Sequence, residues 1–131
     1  TKLDGFQAQC LRQILNIPHS FISRVSHATV RSHLGAAPLS NKLQERQLLL
    51  LGKVARQGDE SLLRKITFEK GSYALRRWCS RRSVGRPRLQ WTSYVHAMAI
   101  NVANGSVDAL GPLLACEASW RVAVKEFVAA L

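Results

Sequence analysis

Arg76 to Trp91 reads RRWCSRRSVGRPRLQW, and it is the stretch whose residue types and spacing could do chemistry. Six arginines (Arg76, Arg77, Arg81, Arg82, Arg86 and Arg88) fall within thirteen residues that contain no acidic residue, and Gly85-Arg86-Pro87-Arg88 forms a kernel that leads to Trp91. A guanidinium is a permanently charged fork of donors that matches phosphate oxygens. Each one placed on a nucleic-acid backbone also releases condensed counterions, which favours binding. Gly85 and Pro87 suit a kernel held extended and close to a backbone. Trp78 and Trp91 carry rings on which unpaired bases can stack. For Trp78, flanked by Arg77 and Cys79, base stacking and the covering of apolar surface stand as equal alternatives. Trp91 is expected to anchor the next helix in the core instead, because it shares a helical stripe with Val95 and Met98. The candidate site is therefore Arg76, Arg77, Trp78, Arg81, Arg82, Gly85, Arg86, Pro87 and Arg88.

The kernel invites comparison with minor-groove hooks of the Arg-Gly-Arg-Pro type. Val84 stands where the first arginine would be, so half of the charged clamp is missing. Phosphate contact without sequence preference is the expected mode, with RNA ahead of DNA as the polymer.

The net charge of +11 is unevenly placed. Residues 70–88 carry seven positive charges and no negative one, and the rest of the chain has twelve against eight. Such a local excess attracts polyanions, and an acidic protein face or anionic lipid would respond to it as well. Catalysis is not expected. The eight acidic residues are scattered, with Asp59-Glu60 the one adjacent pair, whereas two-metal phosphoryl chemistry needs clustered carboxylates. No nucleophile motif singles out a triad, and no cofactor is implied. Cys10, Cys79 and Cys116 are odd in number and widely spaced, which argues for reduced thiols rather than a disulfide framework or a zinc ribbon. His19, His27, His33 and His96 do not sit beside them at ligand spacing, so no metal site is expected. The longest leucine run, Leu48 to Leu51, is far short of a membrane span.

The elements that must position the basic segment are helical. With 131 residues, 47% of them hydrophobic, the chain can bury one modest core. Leu3, Phe6, Cys10, Leu11, Ile14 and Leu15 recur at helical spacing, with Arg12 and Gln13 facing outwards, and Asn16-Ile17-Pro18 stops the helix. Ser26 caps a brief helix that Gly35 ends. The longest element runs from about Asn41 to Gln57, with Ser40 as its N-cap and Gly58 just past its end. Leu43, Gln47, Leu50, Leu51 and Val54 form its stripe, and Leu48, Leu49 and Ala55 widen it. Gly52 costs such a helix about 1 kcal/mol relative to Ala, which points to close approach by another helix. Arg46, Lys53 and Arg56 make a solvated polar face. A short helix follows through Leu62, Leu63, Ile66 and Phe68. After the basic segment, Trp91 to Ala103 and Ser119 to Leu131 form two more helices, joined by a loop or short helix with breakers at Gly111 and Pro112. The expected fold is all-α: a compact bundle of five or six helices with an extended basic segment between the central and C-terminal helices. By composition, residues 1–70 form an N-terminal helical unit, 71–90 the basic segment and 91–131 a C-terminal helical unit, together one domain.

Five blocks in this order carry a resemblance: LDGFQAQCLRQILNIP (Leu3 to Pro18), RVSHATV (Arg24 to Val30), LSNKLQERQLLLLGKVAR (Leu39 to Arg56), GRPRLQW (Gly85 to Trp91) and SWR (Ser119 to Arg121). Together they resemble the C-terminal, post-polymerase region of non-LTR retrotransposon reverse transcriptases. In that family the polymerase carboxylates lie in an upstream palm domain, and this sequence has no paired-Asp motif of that kind. The resemblance implies a non-catalytic nucleic-acid-binding accessory region, with the Arg76 to Arg88 segment on RNA or DNA phosphates. The alternative is a structural subunit of a larger assembly, a ribosome-like particle or a membrane-associated complex, derived from a mobile-element fragment and bound to other protein subunits.

Overall fold

The computed structural model describes residues 1–76 and 90–131. It is all-α, as the periodicity predicts, and the described residues form no sheet beyond one isolated antiparallel bridge, Phe68 to Leu75. Eight helices stand among them rather than five or six. The packing groups Thr1–Gln44 into one unit and Glu45–Leu131 into another, a grouping by contact where the division at 70 and 91 follows charge.

In the first unit, α1 (Lys2–Ile14) ends where Asn16 takes a left-handed φ of 53° ahead of Pro18. A four-residue helix, α2 (Ser20–Ser23), lies in the connection between α1 and α3 and closes on left-handed Arg24. α3 (His27–His33) begins as expected, with the Ser26 hydroxyl accepting from the Thr29 amide at 3.1 Å, and Gly35 (φ 58°) follows its end.

Arg12 corrects the outward placement. It is buried and donates to the Pro18 carbonyl at 2.8 Å, the Ser23 hydroxyl at 3.1 Å and the Val25 carbonyl. Residues 18–25 do not lie within one long helix, so their oxygens need outside donors, and a guanidinium supplies several from one side chain. Much of the predicted α1 stripe, Leu3, Phe6 and Ile14, is exposed.

The central helix, α4 (Leu39–Ala55), also starts differently. Ser40 lies inside its first turn, and α1 supplies the cap. The Gln7 side chain accepts from the Leu39 amide at 3.1 Å and donates to the Ala37 carbonyl at 2.9 Å, and the Asp4 carboxylate accepts from the Ser40 amide at 3.0 Å. A carboxylate at a helix N-terminus satisfies an orphan donor and complements the helix dipole. Hydrogen bonds from the Thr1 hydroxyl and then the Ser40 amide hold the Asp4 carboxyl well below the usual carboxylate range.

The second unit is built on a buried apolar core that includes Leu48, Leu51, Phe68, Leu110, Leu114 and Trp120. The buried face of α4 is Leu48, Leu51, Gly52, Val54 and Ala55, while Leu43 and Leu50 of the predicted stripe are exposed. The rotation has a cause in α8 (Glu117–Ala129). Fully buried Trp120 lays its indole across the backbone of α4, with Nε1 donating to the Leu48 carbonyl at 3.0 Å. A Cβ on Gly52 would stand 2.4 Å from both Cδ1 and Nε1 of that ring. The close approach inferred from Gly52 is thus a tryptophan seated on a bare patch of helix.

Arg56, assigned to a solvated face, donates to the Leu114 carbonyl at 3.3 Å and pairs with Glu117 at 3.8 Å. It joins α4 to the end of α7 (Val107–Ala115), a helix that continues through Gly111 and Pro112. Leu110 and Leu114 on either side of those two residues are fully buried, so packing overrides their breaking tendency. Cys10 and Cys116 are free thiols.

Candidate nucleic-acid interface

Of the predicted site residues, Arg76 is described. Arg77, Trp78, Arg81, Arg82, Gly85, Arg86, Pro87 and Arg88 lie outside the described residues. The structure therefore defines how the two flanks of the basic segment are held.

The leading flank is a small hairpin that follows α5 (Leu62–Thr67). Lys70-Gly71-Ser72 makes the turn, with Gly71 at φ 70°. The Glu69 amide donates to the Ala74 carbonyl at 3.0 Å, the Arg76 amide to the Thr67 carbonyl at 3.1 Å, and the Phe68–Leu75 bridge lies between them. The Arg76 side chain is exposed, and its Nη1 donates to the Lys65 carbonyl at 2.9 Å, near the C-terminus of α5 where a cation complements the helix dipole. Arg76 thus fixes the start of the basic segment to the preceding helix.

Beneath the hairpin lies an arginine that the periodicity gave no reason to bury. Arg64 donates from Nε to Asp59 at 2.8 Å and from Nη1 to the Ala55 carbonyl at the end of α4. Its guanidinium carbon stands 5.3 Å from the Tyr73 ring centroid and 5.8 Å from that of Phe68. Phe68 is buried, while Leu62, Leu63 and Ile66 on the same short helix are exposed. The helix orients itself on cation–π and charge-assisted contacts rather than on its leucines.

The trailing flank is α6 (Trp91–Val102), whose buried face is Val95, His96, Met98, Ala99 and Val102. His96 joins the two flanks. Its Nε2 lies 3.0 Å from the Tyr73 carbonyl, and its ring meets Phe68 edge-on at 6.4 Å. Tyr73 also meets Phe68 edge-on, at 6.2 Å. Residues 73 and 96, on opposite sides of the arginine run, are therefore held in direct contact. No sequence pattern announces this clamp, because each partner looks like an ordinary aromatic of its own element.

Trp91 departs from the expected core position and is 39% exposed. A helical wheel gives direction around the axis, but side chains lean towards the helix N-terminus, so the first residue of α6 projects past the neighbours that bury Val95 and Met98. Tyr94, one turn on, is 47% exposed. The i+3 spacing of Trp91 and Tyr94 is legible in the sequence.

A cleft of about 640 Å³ adjoins Arg76. Its wall carries Arg64, Lys65, Lys70 and Arg76 together with Asp59, Glu60 and Glu69, and Lys65 pairs with Glu60 at 3.1 Å. The mixed charge gives the cleft no field of a single sign. Among the described residues no three His, Cys, Asp or Glu side chains gather as a metal site, and no helix is long and apolar enough to cross a membrane. Comparison with protein-family models, with curated proteins and with solved structures finds no match for this chain.

Proposed function

We propose that the chain is a non-catalytic nucleic-acid-binding helical module, similar to the C-terminal region of a non-LTR retrotransposon reverse transcriptase, that holds RNA phosphates with its arginine run. Arg76, Arg77, Arg81, Arg82, Arg86 and Arg88 contact the backbone, and Gly85 and Pro87 shape the kernel. One observation carries the reading: an acid-free run of arginines is spliced into a helical unit whose flanks are pinned together at Tyr73 and His96.

The test is binding of the chain to unrelated RNAs and to DNAs of equal length. Replacing Arg81, Arg82, Arg86 and Arg88 by alanine should weaken binding by a similar factor for every sequence, with RNA retained in preference to DNA. Loss confined to one sequence would mean that the segment reads bases.

A second reading, a structural subunit of a large assembly derived from a mobile-element fragment, is favoured by the exposed apolar side chains of the first unit, Phe6, Ile14, Phe21 and Ile22. Free RNA binding by the isolated chain separates the two.

A further inference from the structure

We infer that the groove between α4 and α8 is an anion site that takes the phosphate monoester of a nucleotide, either free or at the end of a strand. The site shares no residue with the arginine run and does not depend on it.

The groove has a volume of about 450 Å³, within the roughly 300–1,000 Å³ of small-molecule clefts. Its wall is formed by Leu49, Leu50 and Lys53 of α4, Arg56 just past the end of that helix, and Glu117 and Arg121 of α8. Trp120 fixes the two helices against each other through its seat on Gly52 and its bond to the Leu48 carbonyl, so the walls are in place before any ligand arrives. Glu117 sits between two guanidinium groups. Its carboxylate accepts from Nε and Nη2 of Arg121 at 2.9 and 2.6 Å and lies 3.8 Å from Nη2 of Arg56. That pairing holds both arginines at the groove and cancels one of three positive charges. Lys53 is exposed and stands outside both pairs, which leaves an excess of two positive charges. The Arg56 side chain is 22% exposed and that of Arg121 63%. A guanidinium has five N–H donors, so each keeps donors beyond these bonds.

Charge and shape choose the occupant. A phosphate monoester carries about −1.5 to −2 at neutral pH and three strong acceptor oxygens. It matches an excess of two charges and three cations set round one groove. A carboxylate brings a single charge, and Glu117 already supplies one. A phosphodiester inside a strand also brings a single charge. Beside the cations, Leu49 is half-buried and Leu50 is 48% exposed, which gives the groove an apolar wall. A flat base can bury a ring face on those leucines while its phosphate meets Lys53, Arg56 and Arg121. A phosphate on a small polar side chain would leave the leucines in water.

The experiment measures binding of the whole chain to adenosine 5′-monophosphate, adenosine and O-phosphoserine, and to 5′-phosphorylated and 5′-hydroxyl oligoadenylates of equal length. The monophosphate should bind roughly tenfold more tightly than either adenosine or O-phosphoserine, since each lacks one of the two contacts. Lys53→Gln and Arg121→Gln should each weaken the monophosphate roughly 3- to 10-fold, as for partly exposed charge-assisted contacts. Two variants on different helices keep the test open if one alters the melting of the chain. A monophosphate bound no more tightly than adenosine, or indifferent to both substitutions, overturns the site. Equal binding of O-phosphoserine overturns the nucleotide as its occupant. A preference for the phosphorylated strand that falls with the substitutions assigns the groove to strand ends, and monophosphate binding without that preference assigns it to free nucleotides. Salt-dependent binding of both strands without monophosphate binding fails the groove and leaves the arginine run standing. Monophosphate binding without salt-dependent strand binding fails the arginine run and leaves the groove standing.

Discussion

The two packing units reach stability by different routes. In Glu45–Leu131 the buried core includes large side chains, Trp120, Phe68, Leu48 and Leu51 among them, and the central contact is the Trp120 indole on the bare backbone at Gly52. In Thr1–Gln44 the buried residues include only small or branched apolar groups, Ala8 and Val30, beside a charged one, Arg12. Its loops are tied by hydrogen bonds from Arg12, Gln7 and Asp4, while Phe21 remains 79% exposed. One unit is made by excluding water and the other by pinning backbone groups. The exposed apolar side chains of the first unit are what favours the assembly reading, and the nucleic-acid reading rests on the arginine run in the sequence of the second.

The contrast can be broken at three places. Trp120→Ala removes the largest fully buried side chain among the described residues and the donor to Leu48, and should destabilise by about 3–5 kcal/mol, read from the denaturant midpoint. A small change there would mean that the second unit is not organised on its indole. Arg12→Met keeps the bulk and removes the donors, and should cost about 1.5–3 kcal/mol, the range for hydrogen bonds to a charged group. Protease cleavage within residues 18–25 should rise with it, and unchanged cleavage would show that those carbonyls do not depend on the guanidinium.

Asp4→Asn tests the smallest effect through pH. The Asp4 carboxyl titrates below its ordinary value in the folded chain, so its contribution is full above about pH 4 and declines as the pH falls below the unfolded-state value. Asn in its place should remove that part of the acid sensitivity of the first unit. Identical acid profiles for the two proteins would place the cap of α4 elsewhere.

Much of this architecture was legible in the sequence. Helical spacing located α1, α3, α4, α6 and α8, Ser26 announced its cap, and Gly52 announced a close neighbour. What was hidden depends on residues distant in sequence. Gly52 shows that something approaches, but only the fold shows Trp120, whose contact turns the buried face of α4 away from Leu43 and Leu50. Asp4 and Gln7 cap a helix more than thirty residues later, so a local reading assigns the cap to Ser40. Arg12 and Arg64 are inward because carbonyls and aromatic faces meet them there, and periodicity gives no reason to bury either. The arginine run was legible because it depends on composition alone. Its flanking clamp at Tyr73 and His96, and the exposure of Trp91, needed coordinates.

The most direct test of the central claim is the salt dependence of RNA binding, plotted as log affinity against log salt for the unaltered chain and for the chain with Arg81, Arg82, Arg86 and Arg88 replaced by alanine. Each lost phosphate contact removes about 0.7 to 0.9 from the slope, so the four changes should flatten it by roughly 3 while the helical circular dichroism stays the same. Binding that survives the four changes with its slope intact would contradict the account and reduce the arginine run to a linker.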